Sequence, residues 1–261
     1  MQGGKNRQLG YTIIEVMIVL AVSGVMFLIG STFISGKQEQ ASFTAGINSM
    51  ATAIQNVIEQ VTDGQYSDVP LNCSVNTNTL QFSSTGSVNV QGTNSLCIFR
   101  GKVIHFYGSP TSNYEVINLA DARADSAAEN GYVNSSVKGV PGLTTQAVVP
   151  ETLYITDFKV NGSVSNNYNL AFLQSLGVAN TSGGYQSGAQ SIELANSTTL
   201  SSASPAKGSE TSIIGGNPIM PLINSASICF SDGTQYGLID LGVSGGSPVS
   251  VNIKKYGKNP C

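Results

Sequence analysis

The chain has 261 residues, of which 41% are hydrophobic and only 10% charged, with 29 glycines and a net charge of −3. That apolar share supports a core, while the charged share lies well below the roughly 25% of an average soluble protein, a balance that fits an exported surface protein better than a cytosolic enzyme. The small negative total excludes a global basic field drawing in nucleic acid or anionic lipid, so electrostatics must be argued locally.

Residues 1–10, MQGGKNRQLG, are polar and basic through Lys5 and Arg7, a flank that stays cytoplasmic. From Val16 to Ile34 the chain is apolar or small and uncharged. At about 1.5 Å of helical rise per residue this run nearly crosses a hydrocarbon core of roughly 30 Å. An ordinary secretory signal has a shorter apolar run followed by small residues at a cleavage site. Here Glu15 stands at the start of the run instead. An ionised carboxylate costs about 2.5 kcal/mol or more at bilayer depth, and less near the interface, so it needs a partner. A plain signal anchor gains nothing from it. An assembling helix can pair it with a positive group on a neighbouring subunit.

A short basic leader ending in Gly10, then Tyr11, then Glu15 ahead of an apolar run resembles the class III signal of type IV prepilins. The resemblance implies cleavage between Gly10 and Tyr11 by a membrane prepilin peptidase, N-methylation of Tyr11, and Glu15 facing the Tyr11 amine of the next subunit. It further implies other pilin subunits as partners, a single N-terminal helix in the cytoplasmic membrane with the head outside, and a cell-surface or periplasmic filament after assembly. Tyr11 replaces the commoner phenylalanine. The family's frequent mid-helix proline is absent, Thr32 standing about there, and Gly24 and Gly30 supply the helix weakness instead.

After Gly36 the pattern turns amphipathic. Ala41, Phe43, Ile47, Met50, Ala51, Ile54, Val57, Ile58 and Val61 recur at spacings of three and four, which predicts one apolar stripe. Gly64, after Asp63, is a natural C-cap. A helix from Tyr11 to Asp63 would be roughly 80 Å long, a stalk rather than a core element. The chain thus divides into a leader over 1–10, a transmembrane and stalk helix over 11–63, and a β-rich extracytoplasmic head over 64–261. The fold class is α+β, with the amphipathic half of the helix packed on an antiparallel sheet.

From Gln65 onward short β-type runs alternate with Gly, Asn, Ser and Pro clusters. The predicted strands are Thr79–Phe82, Leu96–Arg100, Val103–Tyr107, Tyr114–Leu119, Thr152–Val160, Ser227–Phe230, Tyr236–Leu241 and Val249–Ile253. Arg100, Gly101 and Lys102 read as a hairpin turn, and Ser231, Asp232, Gly233, Thr234 and Gln235 as a second. Segments 120–147 and 179–216 are small, polar and glycine-rich, and read as long loops. The stretch ICFSDGTQYGLIDL, through Phe230, Asp232, Gly233, Gly237 and Ile239, is similar to the late hairpin of the FimT/GspH group of minor pilins and pseudopilins. It covers under a tenth of the chain.

Cys73, Cys97, Cys229 and Cys261 are widely spaced with no C-x-x-C, and the chain has one histidine, which argues against a zinc site and for disulfides. Three pairings are open. Cys73 with Cys97 and Cys229 with Cys261 are the local ones, the second tying down the last residue. Gly242 to Gly246 matches the G-x-S-x-G nucleophile elbow around Ser244, but that fold places its histidine after the serine, and His105 comes long before. Glu151, Asp157, Glu193 and Asp240 form no visible pair. The expectation is therefore no enzyme activity, no cofactor, no metal and no small-molecule substrate.

In the tail, Lys254, Lys255 and Lys258 surround Tyr256, a set able to touch phosphates and stack on a base of exposed DNA. Two functional readings follow. The first is a structural subunit, a minor pilin or pseudopilin of a type IV pilus or type II secretion-like filament. The alternative is a membrane-tethered surface binding module, an adhesin or DNA receptor, that uses a prepilin-type signal for export.

Overall fold

A computed structural model describes residues 12–64, 72–76, 79–83, 97–108, 110–122, 137–150, 153–174, 192–196, 222–242 and 250–256. The chain forms two compact units, residues 1–44 and 45–261. Its α-helix α1 (Ile13–Thr62) is continuous through Gly24 and Gly30, so neither glycine breaks it.

From Ile13 to Ile29 the apolar side chains of α1 are open, Ile13 at 81% and Phe27 at 75% exposure, and Phe43 is the first large one to be buried among the described residues. Ala41, which the periodicity put on the buried stripe, is exposed. In the second unit the stripe is covered: Ile47, Met50, Ile54 and Val61 are fully buried. The helix ends as its C-cap signal requires. Gly64 takes φ 65°, the Asp63 N–H donates to Glu59 O and the Gly64 N–H to Val61 O.

Three antiparallel sheets follow among the described residues. β1 (Asn72–Asn76) and β2 (Thr79–Ser83) make a ribbon. A six-stranded sheet contains β3 (Cys97–Tyr107), β4 (Asn113–Ala122), β5 (Lys138–Val148), β8 (Asn169–Gln174), β9 (Ile192–Ala195) and β10 (Leu222–Ile223), ordered β10-β9-β8-β3-β4-β5. A five-stranded sheet contains β6 (Tyr154–Val160), β7 (Ser163–Val164), β11 (Ser225–Ser231), β12 (Tyr236–Gly242) and β13 (Ser250–Tyr256), ordered β13-β12-β11-β6-β7.

The six-stranded sheet is buried on both faces around β3 and β8. Lys102, Ile104, Phe106, Leu170 and Phe172 alternate with a cluster of Val103, Ile117, Leu119, Val137, Ala171, Leu173 and Ala195. Helix and sheet meet through Lys102 of the first set and through Gln174 further along β8: Lys102 Nζ donates to Gln60 Oε1, and Gln174 Nε2 to the Val61 carbonyl. The five-stranded sheet buries one face, with Ala226, Ile228, Phe230, Phe158, Ile239 and Leu241, and keeps the other half-covered.

Two expectations need correction. Arg100, Gly101 and Lys102 do not turn the chain: β3 runs straight through them, with a bulge where the register to β4 shifts between Phe99 and Gly101. Gly101 reads as a turn residue but serves close packing. A Cβ there would lie 2.0 Å from the Phe172 carbonyl oxygen, at φ 154°. Segment 120–147 is likewise not one long loop, since β5 begins at Lys138, and β9 lies inside 179–216. The β5 sequence hid its strand because it holds Pro141 and Gly142. Both sit where its register to β4 slips, between Ile117 and Leu119, on an edge strand that tolerates a missing donor. The Ser231–Gln235 hairpin forms as read, joining β11 to β12 with Ser231 opposite Tyr236.

Candidate assembly interface

The first turn of α1 is capped by Thr12. Its hydroxyl oxygen accepts the Glu15 N–H at 3.3 Å, and its carbonyl accepts the N–H groups of Glu15 and Val16 at 3.1 and 3.2 Å. Thr12 therefore satisfies donors that a helix start leaves orphaned. Glu15 stands at the third helical position, where a negative charge complements the helix dipole. The Thr-x-x-Glu spacing is that of a capping box, a signal legible in the sequence but missed there. It gives Glu15 a local role compatible with an intermolecular one. Gly10 and Tyr11 lie outside the described residues.

The window Ile13–Gly30, which includes Glu15, has a mean hydropathy of 2.5 and none of it is buried within the protein. Leaving each large aliphatic or aromatic side chain in water would forgo roughly 1.5–3 kcal/mol. A surface of this length needs an apolar cover, and its composition is sufficient to cross a membrane.

Elsewhere the candidate residues do not converge. Cys229 is buried in β11 and disulfide-bonded. Cys73 lies on β1 and Cys97 opens β3, but the side chains of Cys73, Cys97 and Cys261 fall outside the described set. Lys254, Lys255 and Tyr256 sit on the edge strand β13, opposite Leu238, Gly237 and Tyr236, and Lys258 lies outside the described residues. The carboxylates have separate partners: Glu193 pairs with Arg100 at 3.7 Å, Asp157 with Lys159 at 3.7 Å, and Asp240 Oδ1 accepts from the Ser227 hydroxyl at 2.8 Å. Glu151 and Ser244 lie outside the description. Among the described residues no group of three metal-ligating side chains occurs.

His105 is fully buried in β3, its Nδ1 2.9 Å from Oε1 of an equally buried Glu115 directly across on β4. Sequence reasoning placed His105 on a strand but not its partner, because cross-strand register is not visible in a linear pattern. Asp232 organises the β11–β12 turn. Its Oδ1 accepts the N–H groups of Thr234 and Gln235, both at 2.8 Å, and the Thr234 hydroxyl at 2.9 Å. Partial burial pushes this carboxyl up, but the bonds from Gln235 and Thr234 outweigh it and hold it below the ordinary carboxylate value.

Residues 5–31 match the family model for the prokaryotic N-terminal methylation motif. No curated protein and no solved structure matches the chain. The N-terminal segment is thus a type IV pilin-like prepilin signal, and the chain joins it to an α+β, pilin-like architecture of a long apolar helix followed by antiparallel sheets.

Proposed function

We propose that the chain is a structural subunit, a minor pilin or pseudopilin, of a type IV pilus or type II secretion-like filament. The observation that carries this reading is an unburied apolar helix start, Ile13–Gly30, headed by Glu15 and overlapping the methylation motif. The leader is cut between Gly10 and Tyr11, Tyr11 is N-methylated, and the helix holds the subunit in the membrane before assembly. In the filament Glu15 meets the Tyr11 amine of the next subunit, which neutralises a carboxylate that is costly in an apolar setting. The head faces outward. The β11–β12 hairpin around Asp232 and Gly233 tilts the reading toward a FimT/GspH-like subunit. Mass measurement of the mature N-terminus tests the reading. A chain that begins at methylated Tyr11 is expected, and an intact leader overturns it.

A second reading, a tethered module that touches DNA, is favoured by one observation: Lys254, Lys255 and Tyr256 lie on the edge strand of the five-stranded sheet. Replacing Lys254, Lys255 and Lys258 by alanine is expected to lower DNA retention and its salt dependence. Unchanged retention removes it.

A further inference from the structure

The β6–β7 hairpin turns through Asn161 and Gly162, at φ 49° and 79°, with Val160 opposite Ser163. This two-residue Asn-Gly connection is a turn in which both central residues take positive φ. Three hydrogen bonds fasten it to the corner where the chain leaves β10 of one sheet and enters β11 of the other. The Asn161 N–H donates to Ser225 O at 2.9 Å. Asn161 Oδ1 accepts the backbone N–H of Asn224 at 2.8 Å and that of Ser225 at 3.1 Å. Both turn residues are exposed, and a Cβ at Gly162 would meet nothing within 4 Å.

Chemically, this is a primary carboxamide whose oxygen is held by two backbone donors, whose nitrogen is free to leave into water, and whose next residue carries an unhindered backbone nitrogen. Two N–H groups aimed at one carbonyl oxygen are the arrangement that stabilises a tetrahedral oxyanion. We propose that Asn161 is a self-modification site, at which the Gly162 backbone nitrogen displaces ammonia from the side chain. The bond from Gly162 N to Asn161 Cγ forms and the Cγ–Nδ2 bond breaks. The proton from Gly162 N departs with the leaving nitrogen, while the Asn224 and Ser225 N–H groups hold the negative oxygen. One water then opens the five-membered imide. Opening at Cγ gives aspartate, and opening at the backbone carbonyl gives isoaspartate, in which the main chain runs through the former side chain.

The two products act differently on the joint. Aspartate offers its oxygen to the same two donors and keeps the bonds. Isoaspartate inserts one extra methylene into a connection that spans only two residues between Val160 and Ser163. The turn then cannot hold both its own register and its bond to Ser225, so the link between the two sheets loosens irreversibly as the protein ages. This inference stands independently of the assembly role.

The test uses full-length protein in detergent, kept folded or unfolded in urea at the same pH in heavy-oxygen water, with peptide mass mapping over time. Asn130–Gly131, the same dipeptide elsewhere in the chain, calibrates the unfolded rate. Heavy oxygen is expected at residue 161 roughly tenfold faster in the folded protein than in urea. One oxyanion donor is worth more than this in an enclosed site, and less in an exposed turn. Asn161→Asp, which has no ammonia to lose and reaches the imide only by the slower loss of water, is expected to release no ammonia and to take up heavy oxygen far more slowly. An intact Asn161 in the folded sample, or conversion no faster than in urea, overturns the proposal.

Discussion

Lys102 on β3 donates from Nζ to Gln60 Oε1 in the last turn of α1, 2.6 Å away. That turn has no basic residue of its own. The sheet thus supplies the positive group that a helix C-terminus favours, while Gln174 from β8 gives the Val61 carbonyl a second donor beside the capping Gly64 N–H. One strand pair therefore finishes α1.

This contact predicts an alkaline limb in stability. Burial lowers the Lys102 pKa from its ordinary 10.5. Between the lowered value and 10.5 the unfolded chain holds a proton that the native chain has released, so stability rises with pH across that window. Lys102→Ala should flatten the rise. At neutral pH it should cost about 1.5 kcal/mol through the lost charge-assisted bond, read by urea unfolding at several pH values.

Asp232 should set part of the opposite limb. Its carboxyl is held below the ordinary 3.8 by the turn's own donors, so the stabilisation is present above that value and disappears as pH falls through the folded pKa. Asp232→Ala should unfold earlier at neutral pH, with a difference from the parent that shrinks on acidification. An acid titration of both proteins followed by near-UV circular dichroism checks this.

Two glycines that read alike in sequence should respond differently to alanine. Gly233→Ala meets nothing nearer than the Tyr154 hydroxyl at 3.9 Å and has only its positive φ of 97° to overcome, a cost of about 1 kcal/mol. Gly101→Ala drives a methyl onto the Phe172 carbonyl, where backbone and not a flexible side chain must yield. The expected loss exceeds about 3 kcal/mol. Equal melting temperatures for the two variants would show that the bulge relaxes.

The contrast marks what a linear reading reaches. The apolar run, the stripe from Ile47 to Val61 and the stop at Gly64 are local patterns of period 3.6 and capping chemistry, and the fold follows them. The Asp232–Gly233 hairpin is equally local. What stayed hidden depends on partners far along the chain: Gly101 needs Phe172 to explain it, Glu115 needs His105, and β5 needs β4 to accommodate Pro141 and Gly142. The Asn161–Gly162 turn carries a dipeptide signal that went unread in the sequence, and its fastening to Asn224 and Ser225 has no local signal at all.

His105 and Glu115 should be strongly coupled. Both side chains are fully buried on neighbouring strands, so removing one takes from the other a buried cross-strand partner that water cannot replace. His105→Ala and Glu115→Ala are each expected to cost about 3–5 kcal/mol, and the double variant distinctly less than their sum. A double-mutant cycle from chemical denaturation reads the coupling directly, and additive losses would show that the pair is only a neighbourly contact.

Substitutions at the helix start separate the proposed assembly role of Glu15 from its local one. As a helix-start acid beside Thr12 it contributes to dipole and capping, and these are small terms: Thr12→Ala should cost about 1 kcal/mol of local helix stability and leave filament incorporation intact. As the partner of a neighbouring amine it needs its negative charge. Glu15→Gln keeps size and hydrogen bonding while deleting that charge, so it should fail in assembly nearly as completely as Glu15→Ala, with membrane insertion unaffected or improved. Sheared-filament yield and membrane fractionation, measured side by side for the three variants, distinguish the cases. If Glu15→Gln assembles normally while Thr12→Ala does not, the carboxyl works within its own helix and the intermolecular role falls.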